Sequence, residues 1–246
     1  DRAGNLVRPL TDVSLPLGRL GEAVRRYQQV RARDLHLSEA AAAGLRVSLI
    51  RRLITDRLDF INISKRHIDI DDFLALTEHI VGPQAGTGKL GGKSAGLFLA
   101  QQILKRATAS HPELEDLSTP KTWYVASDGL LDFVRYNNLD GVWEQKYKPV
   151  EIVRQDYPHI VQLFKNSHFP GDVRRGLAQV LDDLGDTPLV VRSSSLPEDQ
   201  LGAAFSGKYK SLFLANQGSR EQRLAALEDA IAEVYASMFG PDPIQY

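Results

Sequence analysis

Arg192 and the three hydroxyls that follow it, Ser193, Ser194 and Ser195, close a short apolar run, Leu189-Val190-Val191, that begins after Pro188. β-branched residues bounded by a proline predict a buried strand, and this one would deliver its arginine into a polar loop. The loop continues with Glu198 and Asp199 and reaches a small-residue turn, Ser206-Gly207-Lys208. A planar guanidinium fork, hydroxyl donors and amides beside a glycine without Cβ are equipment for holding a polyanion. An ordinary strand followed by a solvated loop fits the same residues. Glu198 and Asp199 more readily orient the loop or pair with a basic neighbour than ligate a metal.

A second candidate lies a hundred positions upstream, in the glycine-rich stretch from Gly82 to Gly96, GPQAGTGKLGGKSAG. Gly92-Lys93-Ser94 matches the last three positions of a P-loop, but the first glycine of that motif falls on Thr87, and no apolar strand is predicted before the loop; a P-loop is therefore rejected. Gly91 and Gly92 precede an amphipathic pattern (Leu99, Ala100, Ile103, Leu104), which places Lys93 at a helix N-terminus, where backbone amides and the helix dipole favour an anion. A flexible linker is the competing reading.

The elements that must position these residues are mixed. Residues 1–81 are expected to form a helical, basic region: Leu17, Leu20, Val24 and Tyr27, then Leu45, Leu49, Leu53 and Ile54, recur at helical spacing. Its arginines (Arg25, Arg26, Arg46, Arg51, Arg52, Arg57 and others) alternate with carboxylates and no aromatic platform accompanies them, which predicts a solvated helix face and not a nucleic-acid surface. Asp69, Asp71 and Asp72 precede an amphipathic run containing Phe73, Leu74, Thr77 and Ile80, and are expected to favour that helix's N-terminus instead of binding a cation. From Pro120 the pattern changes: Thr122 to Ala126 is β-rich, Ser127 opens a helix, and residues 145–185 are expected to be helical with breaks at Pro158 and Pro170. Ser211 to Ala215 predicts a strand. Ser219 and Gln222 form a capping box for a helix with Leu224, Leu227, Ile231, Val234 and Met238 inward, stopped by Gly240, Pro241 and Pro243. Strands and helices without regular βαβ spacing indicate an α+β fold.

Composition narrows the function classes. The chain has 246 residues, a formal net charge of -1 and no cysteine. Near-neutral charge gives no global attraction to nucleic acid or anionic membrane. Without cysteine there is no disulfide framework or thiolate metal site, which fits a reducing, cytoplasmic setting. No apolar run approaches the roughly 18 residues of a membrane span. His36, His67, His111, His159 and His168 lack metal-ligand spacing. The chain starts at Asp1 and stops at Tyr246 after a proline-rich turn, and is expected to be a fragment of a longer protein.

The two separated signals together resemble one family. GGKSAGL at Gly91 to Leu97 and VVRSSSLPED with AFSGKYKSLFL at Val190 to Leu214 resemble the N-terminal ATP-binding domain of the phosphoenolpyruvate synthase and pyruvate, phosphate dikinase family. The resemblance covers roughly residues 90 to 246, with the second motif the more specific. It implies the first part of an ATP-grasp domain over residues 82–246, truncated at its C-terminal end, and an activity that splits ATP into AMP and phosphate while a histidine on a separate swivelling domain is phosphorylated. By the same resemblance, Lys93 of the Gly91-Gly92-Lys93 loop and Arg192 contact the triphosphate and form the catalytic pair. Ser193 joins them, and Ser206, Gly207 and Lys208 match a loop that folds over the phosphates. The family usually has Ala-Gly-Gln there, so Lys208 is a departure. ATP and Mg2+ are the implied cofactors, with the metal ligands expected beyond Tyr246. The implied partners are the remaining ATP-grasp half, the phosphohistidine domain and the pyruvate-binding domain of the same protein. Thr77-Glu78-His79 has the Thr-x-His outline of a phosphohistidine motif but sits in a helical apolar pattern and is taken as chance. A non-catalytic nucleotide-binding module, an interaction protein working through residues 1–81, and a dikinase with a glucan or antibiotic acceptor are the alternatives.

Overall fold

A computed structural model of the chain describes residues 2–34, 37–195 and 207–245, the side chains of 2–4 and 31–34 excepted. The fold is α+β, mostly helical, and divides into two compact units, Asp1–Asp128 and Gly129–Tyr246.

The first unit starts with helices α1 (Arg2–Thr11), α2 (Leu17–Asp34), α3 (Glu39–Leu53), α4 (Leu58–Ser64) and α5 (Ile70–Glu78). Strand β1 (Ile80–Val81) leads into the glycine-rich stretch, α6 (Gly92–Ala107) follows it, and β2 (Tyr124–Val125) pairs parallel with β1 through Ile80–Tyr124 and Val81–Val125. Helical spacing buries Leu20, Val24 and Tyr27 of α2 in one core with Leu45, Leu49 and Leu53 of α3. Leu90, Ala95, Phe98 and Tyr124 belong to the same core, so the helices of residues 1–81 and the glycine-rich stretch are packed as one body. The Asp69–Asp72 cluster does what a helix start asks of it: the Asp69 amide donates to Asp72 Oδ2 at 2.8 Å in a capping box.

Two local expectations change in this unit. A strand, two residues long, does precede the glycine-rich stretch; Ile80 belongs to it and not to the preceding helix, which ends at Glu78. The P-loop remains excluded by Thr87. In α6 the buried face is Ala95, Phe98 and Gln102, while Ala100 is exposed and Leu99, Ile103 and Leu104 are half-buried. The helix is rotated toward Phe98, whose ring meets Phe73 of α5 at 6.4 Å.

The second unit contains α7 (Gly129–Tyr136), a 3-10 segment (Asp140–Tyr147), α8 (Val150–Lys165), α9 (Gly171–Leu184), the antiparallel pair β3 (Leu189–Arg192) and β4 (Ser211–Leu214), α10 (Arg220–Ser237) and α11 (Pro241–Gln245). Its core is mainly aliphatic, with Val134, Val153, Leu181 and Ile231 buried, and contains a cluster of rings: Phe133 lies 4.8 Å from Phe169, 5.5 Å from Phe164 and 5.7 Å from Tyr235, and Phe239 lies 5.1 Å from Trp143. The Ser219–Gln222 capping box forms, with the Ser219 amide donating to Gln222 Oε1 at 2.8 Å, and Leu224, Leu227, Ile231 and Val234 are buried, Met238 partly so. Three expectations need correction. Helix α8 runs through Pro158, because Val153, Ile160 and Phe164 stay in phase across it and are all buried. Helix α10 ends at Ser237, before Gly240 as expected, but Pro241 and Pro243 lie within a further short helix, α11, which Pro241 opens at a position where its missing N–H has no partner to lose. The run Leu189–Val191 is not a buried strand: one face carries Val190, 48% exposed, and Arg192, and only the other is half-buried, because the pair has a helix (α10) on one side.

Candidate functional site

The glycine-rich stretch is held on every side. Its carbonyls at Gly86 and Gln84 accept from the amides of Leu17 (2.8 Å) and Gly18 (3.1 Å) at the start of α2, and the Leu90 amide donates to Leu53 O at the end of α3 (2.8 Å). From below, Arg52 enters with 0% of its surface exposed. Its Nη1 donates to Thr87 O (3.2 Å) and Gly88 O (3.1 Å), its Nη2 to Gly86 O (3.4 Å) and its Nε to Leu15 O (2.8 Å). From the other side Asp128 Oδ2 accepts from the Gly88 amide at 2.8 Å, and Ser127 Oγ from the Lys89 amide at 3.0 Å. A Cβ at Gly86 or Gly88 would overlap the Asp128 carboxylate, which is why side-chain-free residues stand there. Burial pushes the Arg52 guanidinium below the ordinary arginine value, and the charges of Asp128 and Asp12 pull it back. The flexible-linker reading is thereby overturned: residues 84–90 are a rigid, hydrogen-bonded loop.

This bonding decides what the loop offers a ligand. The amides of Gly86, Gly88, Lys89 and Leu90 donate to Pro83 O, Asp128, Ser127 and Leu53 and are committed to the protein. The start of α6 differs: Gly91 is its N-cap and has no side chain to cap the first-turn amides. Lys93 is half-buried at the second position of that helix, with Ser94 next to it. An oriented set of helix N-terminal amides beside an ammonium is suited to a phosphate group.

Arg192 ends β3 in the second unit and faces solvent, pairing in register with Ser211 of β4. Its side chain enters no hydrogen bond or ion pair with the described residues. Because the strands are antiparallel, Arg192 and Ser193 at the end of β3 share one end of the hairpin with Gly207 and Lys208, which lead into β4. Gly207 has φ +77°, a conformation that favours glycine. Next to it Lys210 is anchored, its amide donating to Ser237 Oγ (3.2 Å) and its ammonium to Glu233 Oε1 (2.7 Å). Buried Asn216 fixes the other end of the pair by donating to the carbonyls of Gly185 and Thr187, both at 2.8 Å. Ser206, Glu198 and Asp199 lie outside the described residues. Lys93 and Arg192 belong to different units.

The remaining candidates are structural. Asp69 and Asp72 are taken up by Arg106 at 2.9 and 2.8 Å, and no group of His, Asp or Glu able to hold a metal occurs among the described residues. His79 caps α5, its Nδ1 2.7 Å from Ala75 O and its ring 4.9 Å from Trp123.

The model of one family, pyruvate phosphate dikinase AMP/ATP-binding domain, matches residues 87–246, about two thirds of the chain. The chain belongs to that family. No match was found among curated proteins, and none among solved structures. The dikinase-family segment includes Lys93, Arg192 and the hairpin, and it begins inside the glycine-rich loop. Of the groups that grip the loop, those from α2 and α3 lie before this segment, whereas Ser127 and Asp128 lie within it. No helix of the described residues is long and apolar enough to cross a membrane.

Arg52 and Asp128 are the loop-holding residues that the sequence does not reveal. Arg52 stands among arginines expected on a solvated face, yet Leu45, Leu49, Arg52 and Leu53 fall at i, i+4, i+7 and i+8, which places it on the buried face of α3. Asp128 carries no signal of its own, since its role arises from its meeting with two glycines forty positions away.

Proposed function

We propose that this chain is the nucleotide-binding part of a phosphotransferase of the pyruvate, water or phosphate dikinase type, which cleaves ATP to AMP and phosphate and passes a phosphoryl group to a histidine on a separate domain, for interconversion of pyruvate and phosphoenolpyruvate. The observation that carries the reading is the start of α6: a glycine N-cap and Lys93 presented from a rigid loop inside the dikinase-family segment. Phosphoryl transfer is largely positioning and electrostatic stabilisation, and a fixed set of amides with an ammonium supplies both without reorganisation. Arg192, with Ser193, Ser206, Gly207 and Lys208 around it, is the second contact with the polyphosphate in this reading. Its exposed fork suits paired phosphate oxygens in a way that an ammonium does not. Mg2+ would accompany the nucleotide and screen its charge, and the chain's own contribution is to hold the phosphates. The absence of cysteine supports a cytoplasmic setting.

The test is ATP cleavage in the intact protein. Arg192→Lys is expected to lower turnover by about 10² to 10³, as for loss of one transition-state donor. Near-normal cleavage by the folded variant overturns the assignment.

A further inference from the structure

The helices before the dikinase-family segment are joined to the loop by six hydrogen bonds, three of them from the Arg52 side chain, whose fourth goes to Leu15 O. A buried arginine is an expensive device for mere packing. Removing the guanidinium from water is unfavourable, and an apolar side chain on the same face of α3 would bury at no such cost. What only the guanidinium does is collect three consecutive carbonyls, Gly86, Thr87 and Gly88, onto one rigid plane, two residues before the Leu90–Gly91 entry to α6. Opposite it, Asp128 takes the amide of the same Gly88, so one peptide segment is gripped by its carbonyls from one side and by its amide from the other.

We infer that Arg52 is a positioning residue for nucleotide binding: with Asp128 it locks residues 86–90 so that Gly91, Gly92 and Lys93 stand ready at the start of α6, and the region before residue 87 works as a clamp on the nucleotide loop. The inference deepens the proposed function and rests on it. Arg52 touches no ligand. It acts by keeping the binding-competent loop populated before nucleotide arrives, and a loop that is competent only part of the time binds more weakly in proportion.

The experiment compares the intact protein with its Arg52→Lys variant by amide hydrogen exchange and by titration with Mg-ATP. Lysine keeps the charge but cannot span three carbonyls. Faster exchange is expected at the amides of Leu17, Gly88 and Leu90, together with a Kd for Mg-ATP raised about tenfold, the change that follows if the competent fraction falls to a tenth. Leu76→Ala in α5, a core truncation that removes no hydrogen bond to the loop, serves as the control for lost stability. It is expected to lower the melting temperature while leaving the Kd unchanged at temperatures where it is folded. Should Arg52→Lys not fold, Asp128→Asn leaves the arginine in place and is expected to loosen Gly88 and weaken Mg-ATP in the same direction. An unchanged Kd in a folded loop variant, or a Leu76→Ala that weakens Mg-ATP as much, overturns the inference alone. Absence of Mg-ATP binding by the unaltered intact protein overturns the proposed function and the inference with it.

Discussion

A charged group inside a protein is stable only where its donors and its charge are both answered, and the first unit solves this problem twice. Arg52 satisfies its donors with backbone carbonyls and its charge with Asp128 and Asp12 nearby. Asp72, 6% exposed, is solved from the opposite sign. Burial pulls its carboxyl up, but the Asp69 amide, Arg106 and Lys105 together hold it below the usual carboxylate value. A folded-state value below the unfolded one, about 3.9, stabilises the fold above that pH, and the contribution is lost as pH falls through the folded value. Asp72→Asn is therefore expected to be less stable than the parent near neutrality, with the gap closing on acidification. Urea unfolding at a series of pH values checks this, and a gap that stays constant down to about pH 3 contradicts it. Tyr124 gives the alkaline counterpart. Burial pushes its phenol up to about 12 from 10.0, so the stability it contributes is complete below pH 10 and disappears as pH rises through about 12. Absorbance titration is expected to show a late tyrosinate phase that Tyr124→Phe removes.

At the scale of elements, α8 is the clearest conflict between local and tertiary preference. Pro158 denies the Arg154 carbonyl its intrahelical donor, yet the helix continues because its face is buried on both sides of the proline, at Val153 before it and at Ile160 and Phe164 after it. Pro158 itself is exposed, so Pro158→Ala removes the clash without removing packing. The variant is expected to be more stable by about 2 kcal/mol, the interior-proline penalty less the unfolded-chain entropy that proline withholds. A urea midpoint that is unchanged or lower would show that the helix has absorbed the proline without strain. Helix starts, hairpin strands and the α10 capping box are legible in the sequence because they depend on near neighbours: Gly91 before α6, Ser219 three residues before Gln222, Val190 beside Val191. The continuity of α8 is legible only in the phase of Val153, Ile160 and Phe164, which a proline masks. The loop's grip is the least legible part of the site, since Leu17, Arg52 and Asp128 meet it from three separate places in the chain. The strand pair is more exposed than its residues suggest, because β-branched side chains say nothing about how many of their faces are covered. Phe213, opposite Val190 in register, is 84% exposed.

For the molecule as a whole, two compact units, each with buried hydrophobic residues of its own, make a single unfolding midpoint an incomplete description. The sequence contains two tryptophans, and the fold allots one to each unit: Trp123 beside His79 in the first, Trp143 beside Phe239 in the second. Replacing either with phenylalanine leaves an intrinsic fluorophore that watches one unit alone. Pro158→Ala is expected to shift the denaturation curve of the Trp143 signal, and Asp72→Asn that of the Trp123 signal; the reverse assignment contradicts the division. Because Trp123 shares its unit with Lys93 and the clamped loop, its emission in a Trp143→Phe variant offers a label-free optical test of whether added nucleotide reaches that unit.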